Sequence, residues 1–217
     1  MINLKLNNVY GNLKLFDNQE LKIERNQKVL IVGYTLTGKT AILEQICEKC
    51  ARFSQISEDD AKIITSYLPS QPVFFENKTA LFNLNYAAKV ANVKINDEVY
   101  GFLKNCNLID KLNEKVDNFN YFEKQLLALA RAKIKNPELI LIDDWFHDCD
   151  ENSSKLTGAI NQVLNEKDKT VVVTSRGLVD KNWKFDKIYL IDNAKLLEFN
   201  DYVALKKFDK EIIKIMS

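Results

Sequence analysis

Residues 2–9 alternate apolar and polar side chains, and Leu21 and Ile23 alternate with Lys22 and Glu24. A period of two sends one set of side chains to each face of a strand, so the first stretch predicts half-buried β structure. The pattern then changes. Val29-Leu30-Ile31-Val32, Leu139-Ile140-Leu141-Ile142 and Val171-Val172-Val173 are uninterrupted apolar runs, and Ile188-Tyr189-Leu190-Ile191 comes last. Runs of this kind offer water no polar face, which predicts parallel strands covered on both sides. Ile63 to Leu68 reads as a shorter strand closed by Pro69.

Between these runs the period lengthens. Ile42, Leu43, Ile46, Cys47, Cys50 and Phe53 form one stripe, predicting a helix to about Phe53. Residues 79–135 read as mostly helical, with a break near 117–120. That block is too long for a simple crossover between two strands, so it predicts a helical lobe inserted into the fold. A helix near 153–165 and a C-terminal helix from about Asp201 complete the reading. The expected architecture is α/β: a mixed, mostly parallel core sheet, an N-terminal antiparallel β portion and the inserted lobe, all in one domain over 1–217.

Composition narrows the function classes. Lys and Arg number 31 against 30 Asp and Glu, so no surface is built to coat nucleic acid, and no nucleic-acid partner is expected. No window reaches the apolar length of a membrane span, and the first residues do not read as a signal peptide. The expectation is a cytoplasmic chain whose membrane association, if any, runs through a partner. Cys47 and Cys50 form a C-x-x-C, but both sit on the apolar stripe of a helix, where cysteine acts as a small hydrophobe. The single histidine, His147, supplies no second half for a zinc site.

The candidate chemistry lies directly behind Val29–Val32. Gly33-Tyr34-Thr35-Leu36-Thr37-Gly38-Lys39-Thr40 has the pattern G-x-x-x-x-G-K-T, with Ala41 opening the next helix. Such a loop turns its backbone N–H groups inward, and the helix behind it aims its positive end at the same point. This predicts phosphate binding. Lys39 would reach the β- and γ-phosphates, and the Thr40 hydroxyl would hold Mg²⁺. Leu139-Ile140-Leu141-Ile142-Asp143 delivers a carboxylate at a strand end, the edge where α/β sheets bind ligands. Asp143 would be the second Mg²⁺ residue, and Asp144 would face the attacking water as a base.

With these elements the chain resembles the ATP-binding cassette (ABC) ATPases, from about Leu4 to Lys207. Gln125-Leu126-Leu127-Ala128-Leu129-Ala130-Arg131-Ala132, then Lys135-Asn136-Pro137 and the run into Asp143, match the family's stretch from signature helix to Walker B strand. Asn107 to Leu112 resembles the segment before the signature, and Asp150 matches the aspartate of the D-loop. The resemblance implies ATP and Mg²⁺ as ligands, with Tyr10 as the aromatic that stacks on adenine. It implies two kinds of partner: a second ABC-type nucleotide-binding domain, in a homo- or heterodimer, and a membrane-spanning transporter subunit or domain.

The departures from the family carry as much information. Its signature L-S-G-G-Q corresponds here to Phe119-Asn120-Tyr121-Phe122-Glu123, and no Gly-Gly occurs in the chain. Bulk and a negative charge therefore stand where small residues should approach the γ-phosphate of the opposite subunit. The family's catalytic glutamate is Asp144, one methylene shorter, and a displacement on that scale costs on the order of 10²-fold in rate. Ser175, followed by Arg176, occupies the place of the switch histidine and is the second expected catalytic residue. An ungapped alignment puts Ser70 at the Q-loop glutamine, whereas a one-residue slip puts Gln71 there. Leu36 replaces the loop's middle glycine. Groups that hold nucleotide remain, and those that cleave it are weakened.

Three functions follow from this reading. The first is an ATP-binding subunit or domain of an ABC-type transporter, with slow or partner-dependent hydrolysis, placed at the inner face of the membrane through its partner. The second is a pseudo-ATPase that binds nucleotide for regulation or structure without turnover. The third is a soluble, non-transport ABC protein, against which stand the neutral charge and the lack of a coiled-coil insert or second cassette.

Overall fold

A computed structural model describes residues 2–7, 9–10, 13–56, 63–145, 154–177 and 183–208. The strands in chain order are β1 (Ile2–Leu6), β2 (Val9–Tyr10), β3 (Leu13–Lys14), β4 (Gln19–Ile23), β5 (Lys28–Val32), β6 (Thr65–Leu68), β7 (Leu139–Ile142), β8 (Thr170–Ser175), β9 (Lys187–Asp192) and β10 (Lys195–Phe199). The α-helices are α1 (Lys39–Ile56), α2 (Ala80–Val90), α3 (Asp97–Asn105), α4 (Tyr121–Lys133), α5 (Ser154–Leu164) and α6 (Tyr202–Phe208).

Strands β10-β9-β5-β8-β7-β6 form one sheet in that order. All neighbours pair in parallel except β9 and β10. The apolar runs are the reason. Val29 and Ile31 enter a core shared with α1, β1 and β4, while Leu30 and Val32 enter a second core with the helices α2 to α5. Leu139 and Leu141 against Ile140 and Ile142 divide in the same way. Each strand thus fills both cores at once. The alternating N-terminal stretch behaves as its period requires: β1 and β4 pair antiparallel, and Ile2, Leu4, Leu6, Leu21 and Ile23 are all buried.

The 79–135 block contains three α-helices, with two 3-10 turns, at 109–111 and 116–118, between α3 and α4. Each helix start has its own cap. Thr79 accepts from the Phe82 N–H, Asn96 from the Val99 N–H and Asn120 from the Glu123 N–H. Helix α4 packs on β6 within the second core, which it fills with Leu126 to Ala130.

Two strands escaped the sequence reading, the two-residue β3 and the longer β10. Strand β10 returns antiparallel on β9 through Asn193 and Ala194, both at positive φ. That turn usually announces itself with Asn-Gly. Alanine in the second place removes the signal, and the strand shows no clean alternation of burial.

Candidate functional site

The neighbours β5, β8 and β7 deliver their C-terminal ends to one edge of the sheet. Gly33 follows β5, Asp143 follows β7, and Ser175 ends β8. Residues far apart in sequence therefore converge because three parallel strands lie side by side.

The loop from Gly33 to Thr40 turns tightly. Gly33 N–H donates to the Ser175 carbonyl (3.2 Å), Thr37 Oγ1 donates to the Tyr34 carbonyl (2.8 Å), and Ile42 N–H takes the Gly38 carbonyl into the first turn of α1. Gly38 has φ +98°, and a Cβ there would stand 2.8 Å from the Phe16 ring. Leu36 sits at φ +65° and is 85% exposed. A left-handed leucine is strained, so the backbone keeps the glycine conformation although the glycine is gone. Tyr34 and Thr35 are exposed beside it.

Lys39 is buried at the base of this loop. Its ammonium donates to the carbonyls of Gly33 (2.6 Å) and Tyr34 (2.7 Å). Burial draws its proton affinity below that of an ordinary lysine, while Asp144 and Asp143 pull the other way. Thr40 Oγ1 donates to Asp143 Oδ2 at 2.8 Å. Asp143, 2% exposed, also accepts from Thr174 Oγ1 (2.6 Å) and from Tyr67 OH (3.3 Å). Burial, with the Asp143 charge beside it, pushes the Tyr67 phenol far above its usual range, so it remains a hydrogen-bond donor to that carboxylate.

Asp144 takes a left-handed backbone, φ +50°, with its N–H shared between the Thr174 hydroxyl (3.0 Å) and carbonyl (3.2 Å). Its Oδ2 accepts from Arg176 Nε at 2.7 Å. Ser175 is 1% exposed, and its hydroxyl accepts the Gly177 N–H. The side chain of this turn that meets Asp144 is Arg176. Gln71 is exposed and Ser70 half-buried; just before them the Pro69 carbonyl accepts the Trp145 indole N–H (2.8 Å). Tyr10 lies in β2, but its side chain is outside the described residues, as are His147, Cys149 and Asp150.

Two residues of this cluster went unrecognised in the sequence, Tyr67 and Thr174. Thr174 is the more instructive, since it ties Asp143 and Asp144 together. Its signal was a hydroxyl near the end of an otherwise apolar strand, two strands from the phosphate loop only in sequence and adjacent to it in the sheet.

A hydroxyl and a carboxylate converging at 2.8 Å form an all-oxygen donor pair suited to a hard divalent cation. The glycine-flanked turn, the buried ammonium and the start of α1 suit the phosphates that would share that cation.

The family model "ABC transporter" matches residues 16–147, more than half of the chain. The chain belongs to the ABC transporter family. That family binds ATP. Among curated relatives, a Rickettsia typhi protein named for export ATP-binding and permease functions is 23% identical over 90% of this chain. This chain spans only 37% of that relative's length. The zinc import ATP-binding protein ZnuC of Ehrlichia ruminantium is 25% identical, over 82% of this chain and 74% of its own. The fold is that of the ADP-conformation crystal structure of an ATP-binding cassette of an ABC transporter. Its TM-score is 0.76 at 13% identity, covering 99% of this chain and 98% of that one. The α/β cassette reading, with its antiparallel and mixed sheets, is thereby shown. Among the described residues no helix is long and apolar enough to cross a membrane.

Proposed function

We propose that the chain is the ATP-binding subunit or domain of an ABC-type transporter, that it binds Mg-ATP, and that its own hydrolysis is weak. The observation that carries the binding reading is the Thr40–Asp143 contact beside the buried Lys39 ammonium. Lys39 would exchange the Gly33 and Tyr34 carbonyls for phosphate oxygens, and Thr40 and Asp143 would hold the cation. Mg²⁺ supplies Lewis-acid stabilisation of phosphate charge when bound. Thr174 and Tyr67 hold the Asp143 carboxylate in one orientation. Asp144 would be the base for water; its shorter reach and its engagement by Arg176 both weaken that role.

The proposed partners are a second nucleotide-binding domain and a membrane-spanning subunit or domain. A groove of about 370 Å³ supports the latter, lined by Val73, Phe74 and Phe75, by Tyr86 and Val90 of α2, and by Arg131 of α4. Phe75, Phe82 and Tyr86 are half-exposed and stack edge-on or face-on against one another. Arg131 lies over the Phe74 ring at 4.3 Å and donates to the Val73 carbonyl. An aromatic-lined trough with a fixed cation suits an amphipathic helix with an acidic residue, offered by the membrane partner. A relative named for both ATP-binding and permease functions fits this reading. The 79–135 helices would form the docking lobe of the domain.

The pseudo-ATPase alternative draws on one observation. At the signature position the α4 N-terminus is closed by a capping box between Asn120 and Glu123. A titration with ATP, with and without Mg²⁺, tests the main reading. Wild type binds more tightly with Mg²⁺, and Asp143→Asn loses that enhancement, about 10-fold, for want of one charged oxygen donor. An affinity indifferent to Mg²⁺ in wild type sinks it.

A further inference from the structure

We propose that Arg176 reads the terminal phosphate of a nucleoside triphosphate, with Asp144 as the residue that positions it. The inference rests on the Mg-ATP reading above. Sequence comparison points to Ser175 as the switch residue, but the Ser175 hydroxyl is buried and faces Gly177. Arg176 is the next side chain on the same turn, and its position is defined. Its Nε donates to Asp144 Oδ2 at 2.7 Å. Asp144 is itself immobilised by a left-handed backbone and by two hydrogen bonds from its N–H to Thr174, the residue that also orients Asp143.

The remainder of the guanidinium is open. Among the described residues its two terminal nitrogens carry no hydrogen bond, and the side chain is 46% exposed. Arg176 nonetheless stands close enough to Lys39 for its charge to lower the lysine's proton affinity, so it borders the phosphate site. The arrangement is a cation anchored through Nε with a free fork of N–H donors at its tip. That is the geometry by which arginine takes phosphate oxygens, two at a time.

Charge gives a second reason. The charged groups that act on Lys39 are two carboxylates, Asp144 and Asp143, and one cation, Arg176. Asp143 is matched by the divalent cation of the proposed site. Asp144 is paired with Arg176. Without the arginine, the Asp144 carboxylate would lose this cation and repel the terminal phosphate more strongly. The pair therefore favours a triphosphate over a diphosphate in two ways: it adds donors, and it offsets a charge placed to oppose them.

The test is equilibrium binding of Mg-ATP and Mg-ADP to four proteins: wild type, Arg176→Ala, Asp144→Ala and the double variant. Loss of a charge-assisted contact predicts that Arg176→Ala weakens ATP on the order of 10- to 100-fold and leaves ADP within about twofold. The retained ADP affinity reports that the variant is folded. Asp144→Ala weakens ATP less, because the loosened guanidinium keeps its charge. The double variant binds ATP better than Arg176→Ala alone, since the opposing carboxylate has gone too. Arg176→Lys, which keeps charge without the fork, falls between. Equal loss of ATP and ADP in Arg176→Ala, or loss of neither, overturns the inference, as does additivity in the double variant. If wild type binds neither nucleotide, the Mg-ATP reading itself fails, a separate and recognisable outcome.

Discussion

Two helix N-termini in this molecule meet the same physics and resolve it in opposite ways. Helix α1 starts at Lys39 with no acidic residue in its first turn, behind a loop held at positive φ by Gly38 and Leu36. Helix α4 starts at Tyr121, and there the Asn120 side chain accepts the Glu123 N–H (2.9 Å) while Glu123 Oε2 accepts the Asn120 N–H (3.1 Å). Glu123 Oε1 is also taken by Lys111 at 2.8 Å. Every helix start has unsatisfied N–H groups and a positive end. In α1 these face a loop with a buried ammonium. In α4 a carboxylate from the same helix already occupies the place where an anion would dock. The half-exposed Tyr121 adds bulk at that end. A helix N-terminus becomes an anion site only where the sequence leaves its donors unused.

That contrast can be broken at either helix. The largest effect belongs to Lys39→Ala, which removes charge-assisted contacts to phosphate and should weaken Mg-ATP about 100-fold or more by calorimetry. An unaffected affinity would place the phosphate site elsewhere. Next comes the far end of α4. Lys133 is almost fully buried, with Glu166 Oε1 at 2.6 Å and Glu98 Oε1 at 3.0 Å. Burial alone would lower its proton affinity, but the two glutamates outweigh that and raise it. A lysine held above its unfolded value contributes stability that is complete below that value and disappears as pH rises through the folded one. Lys133→Met should cost about 2 kcal/mol in urea unfolding, less than a wholly buried pair because Glu98 faces water. The loss should be constant across neutral pH and shrink only above about pH 10.5. A loss that grows with pH contradicts the assignment. The smallest effect sharpens the comparison most. Asn120→Ala should destabilise the fold by about 1 kcal/mol and leave ATP affinity of the isolated chain unchanged. A marked fall in that affinity would mean that α4 also serves the nucleotide in its own chain.

How much of this was legible beforehand depends on period and range. The buried strands β5, β7 and β8 announced themselves as apolar runs, because a strand covered on both faces has no polar residue to hide the signal. The tight turn from Gly33 to Thr40 and the strand-end position of Asp143 were legible because short motifs fix their own local geometry. The β9–β10 hairpin was not, since Ala194 stands where a glycine would have flagged the turn. Thr174 and Tyr67 were illegible for another reason. Their role comes from strand adjacency, and no local pattern says that β6, β7 and β8 lie side by side. Arg176 lay between the two cases. It was visible beside Ser175, but the proposal of Arg176 over Ser175 turns on the direction of one hydroxyl. Similarly, Glu123 was visible as a misplaced charge, and only the structure shows it capping its own helix.

The central proposal is that this chain holds a nucleoside triphosphate and cleaves it only weakly. Phosphate release measured at saturating Mg-ATP, on protein whose ATP occupancy is determined in the same sample, tests it most directly. Near-complete occupancy with turnover on the order of 10²-fold below an ordinary catalytic rate of about 10 per second is the predicted result. Rapid turnover by the chain alone, or no occupancy at all, would contradict it.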